Sequence, residues 1–388
     1  MLPLRNLPRF FYKALRQPSY ALKVFLVRLR AYLVYTFIYS GWSAFPEALT
    51  FFLTYRCNLR CKMCGQWGDK AVTRQEENQT LNISLPLAIY ENLINEISKY
   101  ARPSITLFGG EPLLYPDCIR LIQIIKEKNM HCLLITNGWL LTSLAEELVK
   151  SGLDELNISL DGDSQLHDQI RGLPGLFNRI IQGIEKINYY KKLLNKNKPF
   201  INLQCTITQY NCQHLEEMLS VAERIKANSL TFHNLIFLDK DVLEKQKRID
   251  ELLNNSSLSW QGFVFEPSID PKELIKKKKE VFFKALKKDF SVDFYPNFSD
   301  EELIDYYCSV KFQPPVANRR CLSPWLVGYI FPDGEFRPCL NYSYSFGNIT
   351  KDNFWQIWNG QAARRFRILL KKEKIFPACC RCTELYRY

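Results

Sequence analysis

Between Pro46 and about Phe237 the chain alternates short apolar runs with longer stretches whose apolar residues recur at helical spacing. The apolar runs predict six strands, at Ala48–Thr54, Ile105–Phe108, Cys132–Thr136, Glu155–Leu160, Phe200–Ile207 and Leu230–Phe237. Between them, helices are predicted over Pro86–Tyr100, Cys118–Lys128, Ser143–Ser151, Leu176–Leu194 and Cys212–Asn228. Ile119, Leu121, Ile122 and Ile125 show the spacing in the second of these. Strands that alternate with helices pair in parallel through right-handed crossovers. The fold class is therefore α/β, as a partial (β/α)6 barrel or an open doubly wound sheet. Either arrangement puts active-site residues at the C-terminal ends of the strands.

The rhythm stops on both sides of this core, which spans residues 47–237. Residues 1–46 form a basic, aromatic-rich segment with Pro3, Pro8 and Pro18 near its start. Arg9, Arg16, Lys23 and Arg30 recur every seven residues, so a helix would carry them on one slowly drifting face. The uncharged run from Ala31 to Pro46 is short for a membrane span, and Gly41 and Ser43 interrupt it. Two readings compete: a helix packed on the main domain, and a helix lying on a membrane surface. Residues 238–317 read as a helical linker or insert, with a Lys-rich helix near 272–288 and a short Val292–Tyr295 run. Lys276 to Lys279 reads as a solvated face. Residues 318–388 form a small unit rich in Cys, Trp and Gly.

Composition narrows the classes. At 47% hydrophobic and 24% charged, the 388-residue chain can bury a sizeable core. The 13 cysteines are an odd number, and the N-terminus shows no short apolar core with a small-residue cleavage site. A reducing, cytoplasmic setting is expected, with peripheral membrane contact through residues 1–46 as its extension. In that setting thiols are metal ligands or buried small hydrophobes. The net charge is +12, and it sits on the two ends of the chain. Residues 1–46 carry seven basic groups and no acidic one, and residues 318–388 carry twelve against five. The middle is nearly neutral, which argues against nucleic acid wrapped along the whole chain. It leaves an anionic membrane surface, an acidic substrate or an acidic electron-donor protein to meet the ends.

Cys57, Cys61 and Cys64 follow the first strand in the run Tyr55-Arg56-Cys57-Asn58-Leu59-Arg60-Cys61-Lys62-Met63-Cys64. A closed zinc site wants four ligands, and no fourth Cys or His follows nearby. Three thiolates on an iron–sulfur cube leave one iron open, and a substrate or cofactor can chelate it. Buried free thiols and half of a split zinc site are the alternatives. Here the sequence resembles the radical SAM superfamily, through its Cys-x3-Cys-x2-Cys loop after the first strand of a βα series. The resemblance implies a [4Fe–4S] cluster on these cysteines, with S-adenosylmethionine on the open iron. Reductive cleavage of the sulfonium then yields a 5′-deoxyadenosyl radical that takes hydrogen from the substrate. A flavodoxin- or ferredoxin-type protein is the expected electron donor.

Further motifs end the next three strands, and the resemblance covers about residues 47–237. Gly109-Gly110-Glu111-Pro112 ends the second; glycines admit a ligand to the backbone, and Glu111 can accept from an ammonium. The resemblance makes this the stretch that holds the methionine amino group. Thr136-Asn137-Gly138 ends the third strand, and Ser159-Leu160-Asp161-Gly162 ends the fourth. Asn137, Ser159 and Asp161 suit a ribose or an amino-acid carboxylate. The resemblance also implies that Arg171 helps bind the cofactor carboxylate. Read singly, these motifs are ordinary turn chemistry. His167 reads as structural and is not expected to be a base. Cys205 and Cys308 are candidate hydrogen donors, although such residues are commonly just buried.

In the last unit, Cys321, Cys339, Cys379, Cys380 and Cys382 cluster. A Cys-x2-Cys pair with two distant cysteines outlines a four-thiolate metal site, zinc or iron–sulfur. The unit resembles the auxiliary-cluster domains called SPASM or twitch. That resemblance implies one auxiliary [4Fe–4S] cluster on Cys321, Cys339, Cys379 and Cys382, with Cys380 able to replace Cys379. The expected protein is a radical SAM oxidoreductase or maturase, built from an N-terminal helical segment, a partial barrel and a Cys-rich C-terminal domain. Its substrate would be a peptide, protein or sugar that is oxidised, crosslinked or epimerised. Two alternatives are a membrane-surface radical SAM enzyme acting on lipid or lipid-linked glycan, and a non-enzymatic zinc-binding interaction protein.

Overall fold

The computed structural model describes residues 18–68, 71–75, 78–309, 312–315 and 319–388. The prolines and basic groups expected to pattern residues 1–17 lie outside the described residues.

The six predicted strands are present as β1 (Ala48–Phe52), β2 (Ser104–Phe108), β3 (Cys132–Thr136), β4 (Glu155–Ser159), β5 (Phe200–Thr206) and β6 (Ser229–His233). They pair in chain order, every pair parallel. The crossovers carry α2 (Leu87–Ser98), α3 (Cys118–Glu127), α4 (Leu141–Lys150), α5 (Ser164–Arg171), α6 (Leu176–Leu193) and α7 (Glu217–Arg224), after the N-terminal helix α1 (Pro18–Phe37). In β2 to β5 one set of alternate residues is fully buried, including Ile105, Leu107, Leu134, Leu156, Ile158, Ile201 and Leu203. That set joins the continuous apolar core with Leu121, Ile122, Leu148 and Ile184 of the helices. The other set is half-buried; it is apolar in β3 (Leu133, Ile135) and polar along β4 and most of β5, where its members bond across strands. Asn202 donates to Asn157 (3.0 Å) and Glu155 (2.9 Å), and Ser229 donates to Asn202 (2.9 Å). A parallel sheet with one half-open face, polar along β4 and β5, leaves that face for a ligand and does not pack it as a second core.

The sheet is larger than the six-unit pattern. Residues 238–317, expected to be a linker or insert, contain α8 (Lys240–Leu253), α9 (Pro271–Ala285), β7 (Ser291–Tyr295) and α10 (Asp300–Cys308). The short run at 292–295 becomes a seventh parallel strand because its backbone pairs along the free edge of β6. At the other edge β8 (Val327–Ile330), from the C-terminal unit, pairs in parallel with β1. β9 (Glu335–Arg337) and β10 (Gly347–Asn348) extend that edge antiparallel. The ten strands make one open sheet in the order β10-β9-β8-β1-β2-β3-β4-β5-β6-β7, without barrel closure.

The described part of the N-terminal segment, from Pro18 on, packs on the C-terminal unit. Arg28 of α1 pairs with Glu47 at 2.7 Å and stacks over the Tyr388 ring. Tyr35 meets the edge of Trp325, 5.0 Å between centroids. Beyond α1, the strap Gly41–Ala44 is held by α11 (Phe354–Trp358) and α12 (Gln361–Glu373). Asn359 exchanges two hydrogen bonds with the Ser43 backbone, and Trp358 donates to the Ala44 carbonyl at 2.6 Å. Arg367, wholly buried, donates to the carbonyls of Pro324, Trp358 and Gly41. Gly41 sits at φ +69°, and a Cβ there would lie 2.4 Å from the Arg364 carbonyl oxygen.

Trp358 is fully buried and ties the strap to both helices. Trp358→Ala is expected to remove about 3–5 kcal/mol of stability, as a cavity plus an unpartnered carbonyl. Chemical denaturation of the two proteins side by side would check this.

Candidate functional site

The loop after β1 turns back over the ends of β2 and β3. Its backbone continues the sheet for two residues: Gly110 N donates to Thr54 O and Glu111 N donates to Arg56 O, both at 2.8 Å. A Cβ on Gly110 would lie 2.2 Å from Arg56 O, and one on Gly109 would lie 2.8 Å from Thr54 O. The close neighbour that these glycines admit is therefore the cysteine loop itself, where a ligand was expected.

Past that contact the loop curls. Cys64 N donates to Cys61 O, Gly68 N donates to Cys64 O, and Lys62 N reaches Ile170 O at 3.0 Å. Cys57, Cys61 and Cys64 are free thiols, Cys61 buried and the others half-buried. Each has an N–H donor on its sulfur: Leu59 N and Asn137 Nδ2 on Cys57, Arg171 Nη1 on Cys61, and Trp67 N on Cys64, at 3.3–3.9 Å. Burial pushes the Cys57 thiol up to about 12, and the Glu111, Cys61 and Cys64 charges push it the same way. Burial also raises Cys61, against the pull of Arg171. Left alone, the Cys57 and Cys61 sulfurs stay protonated at neutral pH; a bound cation would make them thiolates.

Two of the strand-end motifs join into one unit. Glu111 is 1% exposed. Its Oε1 accepts from Thr136 Oγ1 (2.7 Å) and Leu113 N (3.1 Å), and its Oε2 from Asn137 N (2.7 Å). Burial pushes its carboxyl up to about 7, and the three donors only partly offset that. Asn137 also donates to Asn58 Oδ1, so it bridges the cysteine loop and β3. Ser159 ends β4, half-buried beside the sheet's polar face.

A second unit forms around Asp161, which is fully buried. It accepts from Arg171 Nε (2.6 Å) and from Thr206 N (2.8 Å). Burial opposes the Arg171 charge, but Asp161 and Cys61 outweigh it and hold the guanidinium charged. Arg171 thus links Asp161 to the Cys61 sulfur. His167 accepts from Asp161 N at its Nδ1, and its Nε2 is buried without a partner. Burial and Arg171 keep the ring neutral, so it serves as a structural support, as its sequence context suggested.

The candidate hydrogen donors are placed elsewhere. Cys205 lies in the fully buried set of β5, with Asn211 Nδ2 on its sulfur, and does not open on the polar face. Cys308 is exposed at the end of α10. The sequence reading missed the polar face itself, with Asn157, Asn202, Gln204 and His233. His233 Nε2 meets Gln204 Oε1 at 2.5 Å near the top of β5 and β6. The signal was the alternation Ile201-Asn202-Leu203-Gln204-Cys205-Thr206 within a run read simply as apolar.

The C-terminal unit brings together four thiols. Cys321 feels the charges of Cys379, Cys382 and Cys339, and Cys339 feels that of Cys382. Burial raises all four, Cys339 to about 12. Cys382 N donates to Cys379 O at 3.0 Å, which closes the pair into one turn. Cys380 points away, into a separate apolar cluster with Leu238, Trp260 and Ala378. Among the described residues, no three Cys, His, Asp or Glu donors close on one ion-sized point. A cube-shaped cluster does not need that, because each of its thiolates stands at its own corner.

Comparison with known proteins agrees with this architecture. The model of the radical SAM superfamily matches residues 51–192, and that of the SPASM iron–sulfur cluster-binding domain matches residues 321–383. An AdoMet-dependent heme synthase of Methanosarcina barkeri is 25% identical over 340 residues, 87% of this chain and 88% of that one. The tungsten-containing aldehyde ferredoxin oxidoreductase cofactor-modifying protein of Pyrococcus furiosus is 21% identical over 85% of each chain. Among solved structures, Streptococcus suis SuiB bound to S-adenosylmethionine superposes with a TM-score of 0.58 at 16% identity, over 83% of this chain and 68% of that one. Native anSMEcpe with bound AdoMet gives 0.56 at 18% identity, over 83% and 82%. The radical SAM domain brings a [4Fe–4S] cluster and S-adenosylmethionine, and the SPASM domain brings auxiliary iron–sulfur binding. With both domains matched in order on one α/β sheet, the chain is a radical SAM enzyme with a C-terminal SPASM domain.

Proposed function

We propose that Cys57, Cys61 and Cys64 hold the S-adenosylmethionine-binding [4Fe–4S] cluster, and that Cys321, Cys339, Cys379 and Cys382 hold one auxiliary [4Fe–4S] cluster. The observation that carries this reading is the division of the thiols into a set of three, with N–H donors on every sulfur, and a mutually interacting set of four. Both donor sets suit iron–sulfur chemistry, since N–H donors stabilise thiolate and cluster sulfur. When bound, the first cluster supplies the electron that cleaves S-adenosylmethionine to the 5′-deoxyadenosyl radical.

The protein's own groups do the rest. Glu111, fixed by Thr136, Leu113 and Asn137, takes the cofactor's ammonium and loses its proton to do so. Arg171 holds its charge beside Cys61 and offers its remaining N–H groups to the cofactor carboxylate, while Asp161 keeps the guanidinium in place. Gly109, Gly110, Asn137 and Ser159 shape the cofactor's seat at the strand ends. The substrate lies on the sheet's polar face, where Asn157, Asn202, Gln204 and His233 bond it and aim one C–H at the radical. In this reading the set of four thiols would hold the cluster that takes an electron from the substrate radical, which suits an oxidation. A flavodoxin- or ferredoxin-type protein is the reductant in this reading.

The substrate class is a peptide, protein or sugar, as polar as the face that receives it. A tetrapyrrole side chain is the second reading, supported by the full-length similarity to the Methanosarcina barkeri heme synthase. Anaerobic reconstitution followed by iron and sulfide counts and detection of 5′-deoxyadenosine tests the core of the proposal. Absence of 5′-deoxyadenosine from cluster-loaded protein given dithionite and S-adenosylmethionine would reject it.

Cys61→Ala is expected to cut 5′-deoxyadenosine formation to background, because no other thiol lies in the loop's third corner; a rapid-quench assay reads it. Cys382→Ala is expected to remove about four iron atoms per chain while the first cluster's spectrum persists. Cys380→Ala should leave the iron content unchanged, which separates the adjacent thiols. For Glu111, a carboxyl near 7 is largely protonated below that pH, and an ammonium binds the carboxylate. Cofactor affinity should therefore fall roughly tenfold per pH unit below 7. Calorimetry in two buffers of different ionisation enthalpy should show proton release on binding, and Glu111→Gln should abolish it.

A further inference from the structure

Helix α1 is apolar on both sides. Toward the protein it buries Ala31, Val34 and Tyr35. On the opposite side Leu22, Phe25, Leu26, Leu29, Leu33 and Phe37 recur at three- and four-residue steps and are 42–71% exposed. A surface helix normally turns a polar face outward, so an uncovered apolar stripe of this length marks an interaction surface. The charged residues of α1 itself, Lys23, Arg28 and Arg30, are all basic. No acidic residue occurs in residues 1–46. Arg30 is exposed at the stripe's margin, Arg320 lies over the Tyr32 ring at 5.2 Å, and Lys371 lies over the Tyr39 ring at 3.9 Å. Just past the helix, Ser40 opens a cavity of about 710 Å³ whose walls include Arg364, Arg365, Lys372 and the exposed Ile368.

We propose that this face docks on an anionic phospholipid surface. α1 lies in the interfacial plane, with its outer apolar side chains below the headgroups and the surrounding cations at phosphate level. The stripe from Leu22 to Phe37, at 1.5 Å rise per residue, runs straight for about 24 Å, which suits a planar surface. Among the described residues no helix is long and apolar enough to cross a membrane, so the contact is peripheral. A second copy of the chain would bring the same positive rim against itself, and the charges would repel. The Arg364–Arg365–Lys372 cavity adjoins the stripe at its C-terminal end and extends the cationic rim where headgroup phosphates would sit. The proposal is independent of the radical chemistry, and its test requires no turnover.

The test is flotation of the cluster-loaded full chain with two kinds of vesicle. One is phosphatidylcholine with roughly one third phosphatidylglycerol, and the other is phosphatidylcholine alone. The wild type is expected to float with the anionic vesicles, to be released by high salt, and to stay largely unbound with the neutral ones. Phe25→Ser/Leu29→Ser/Leu33→Ser should lower binding roughly tenfold or more, with iron content and melting temperature unchanged. Arg30→Glu/Lys372→Glu, which leaves the apolar stripe intact, should weaken only the anionic-vesicle binding. If the wild type stays unbound on both vesicles, or the triple variant floats equally well, the proposal fails. It also fails if light scattering shows a wild-type dimer that the triple variant dissolves, since a second copy then covers the face.

Discussion

The site depends on how closely the cysteine loop can lie on the end of β2. Two backbone hydrogen bonds hold Thr54 and Arg56 against Gly110 and Glu111, and any side chain at residue 110 would meet the Arg56 carbonyl at 2.2 Å. That contact sets where Cys57 begins its turn. It also sets where Glu111 points, because the same residue both ends the added pairing and sends its carboxylate under β3. The thiols, Glu111 and Asn137 therefore form one rigid object, although they come from three different strand ends.

Buried charge is the second constraint. Asp161 and Arg171 are both removed from water, and each is tolerated because the other is there. The pair lies between the sheet and the cysteine loop, with one guanidinium N–H on the Cys61 sulfur. His167 stays neutral beneath it and supports the Asp161 backbone. Far from this centre, Arg367 is as deeply buried without a carboxylate. Burial drops its side chain to about 9; its Nε and Nη1 donate to three backbone carbonyls, and its buried Nη2 has no partner. It fastens the N-terminal strap to the last long helix. The strap and the C-terminal unit are thereby joined on the side where the sheet gains β8.

Much of this was legible in the sequence. The alternation of apolar runs and helical stretches located six strands to within a few residues. The strand-end motifs stood out because glycines and polar residues in fixed order after apolar runs are turn and ligand chemistry. The seventh strand was not legible. Val292–Tyr295 is too short to signal a strand by itself, and it pairs only because β6 has a free edge. The role of Gly109 and Gly110 was visible as a need for space, but the object filling that space is nonlocal backbone. The sequence favoured Cys379 through its Cys-x2-Cys spacing with Cys382 and left Cys380 as a substitute. The turn that points Cys379 toward Cys321 and Cys339 sends Cys380 into apolar packing with Trp260.

The sequence by itself determined the alternating α/β layout, the three-cysteine loop and its place after the first strand, and the concentration of charge at the two ends. Those follow from periodicity and composition, which act over a few residues at a time. Tertiary structure alone decided that the C-terminal unit shares the core's sheet, that four particular thiols face one another, and that one side of α1 is covered while the other is bare. Each of those depends on which surfaces meet across hundreds of residues, and a local pattern carries no record of its distant partner.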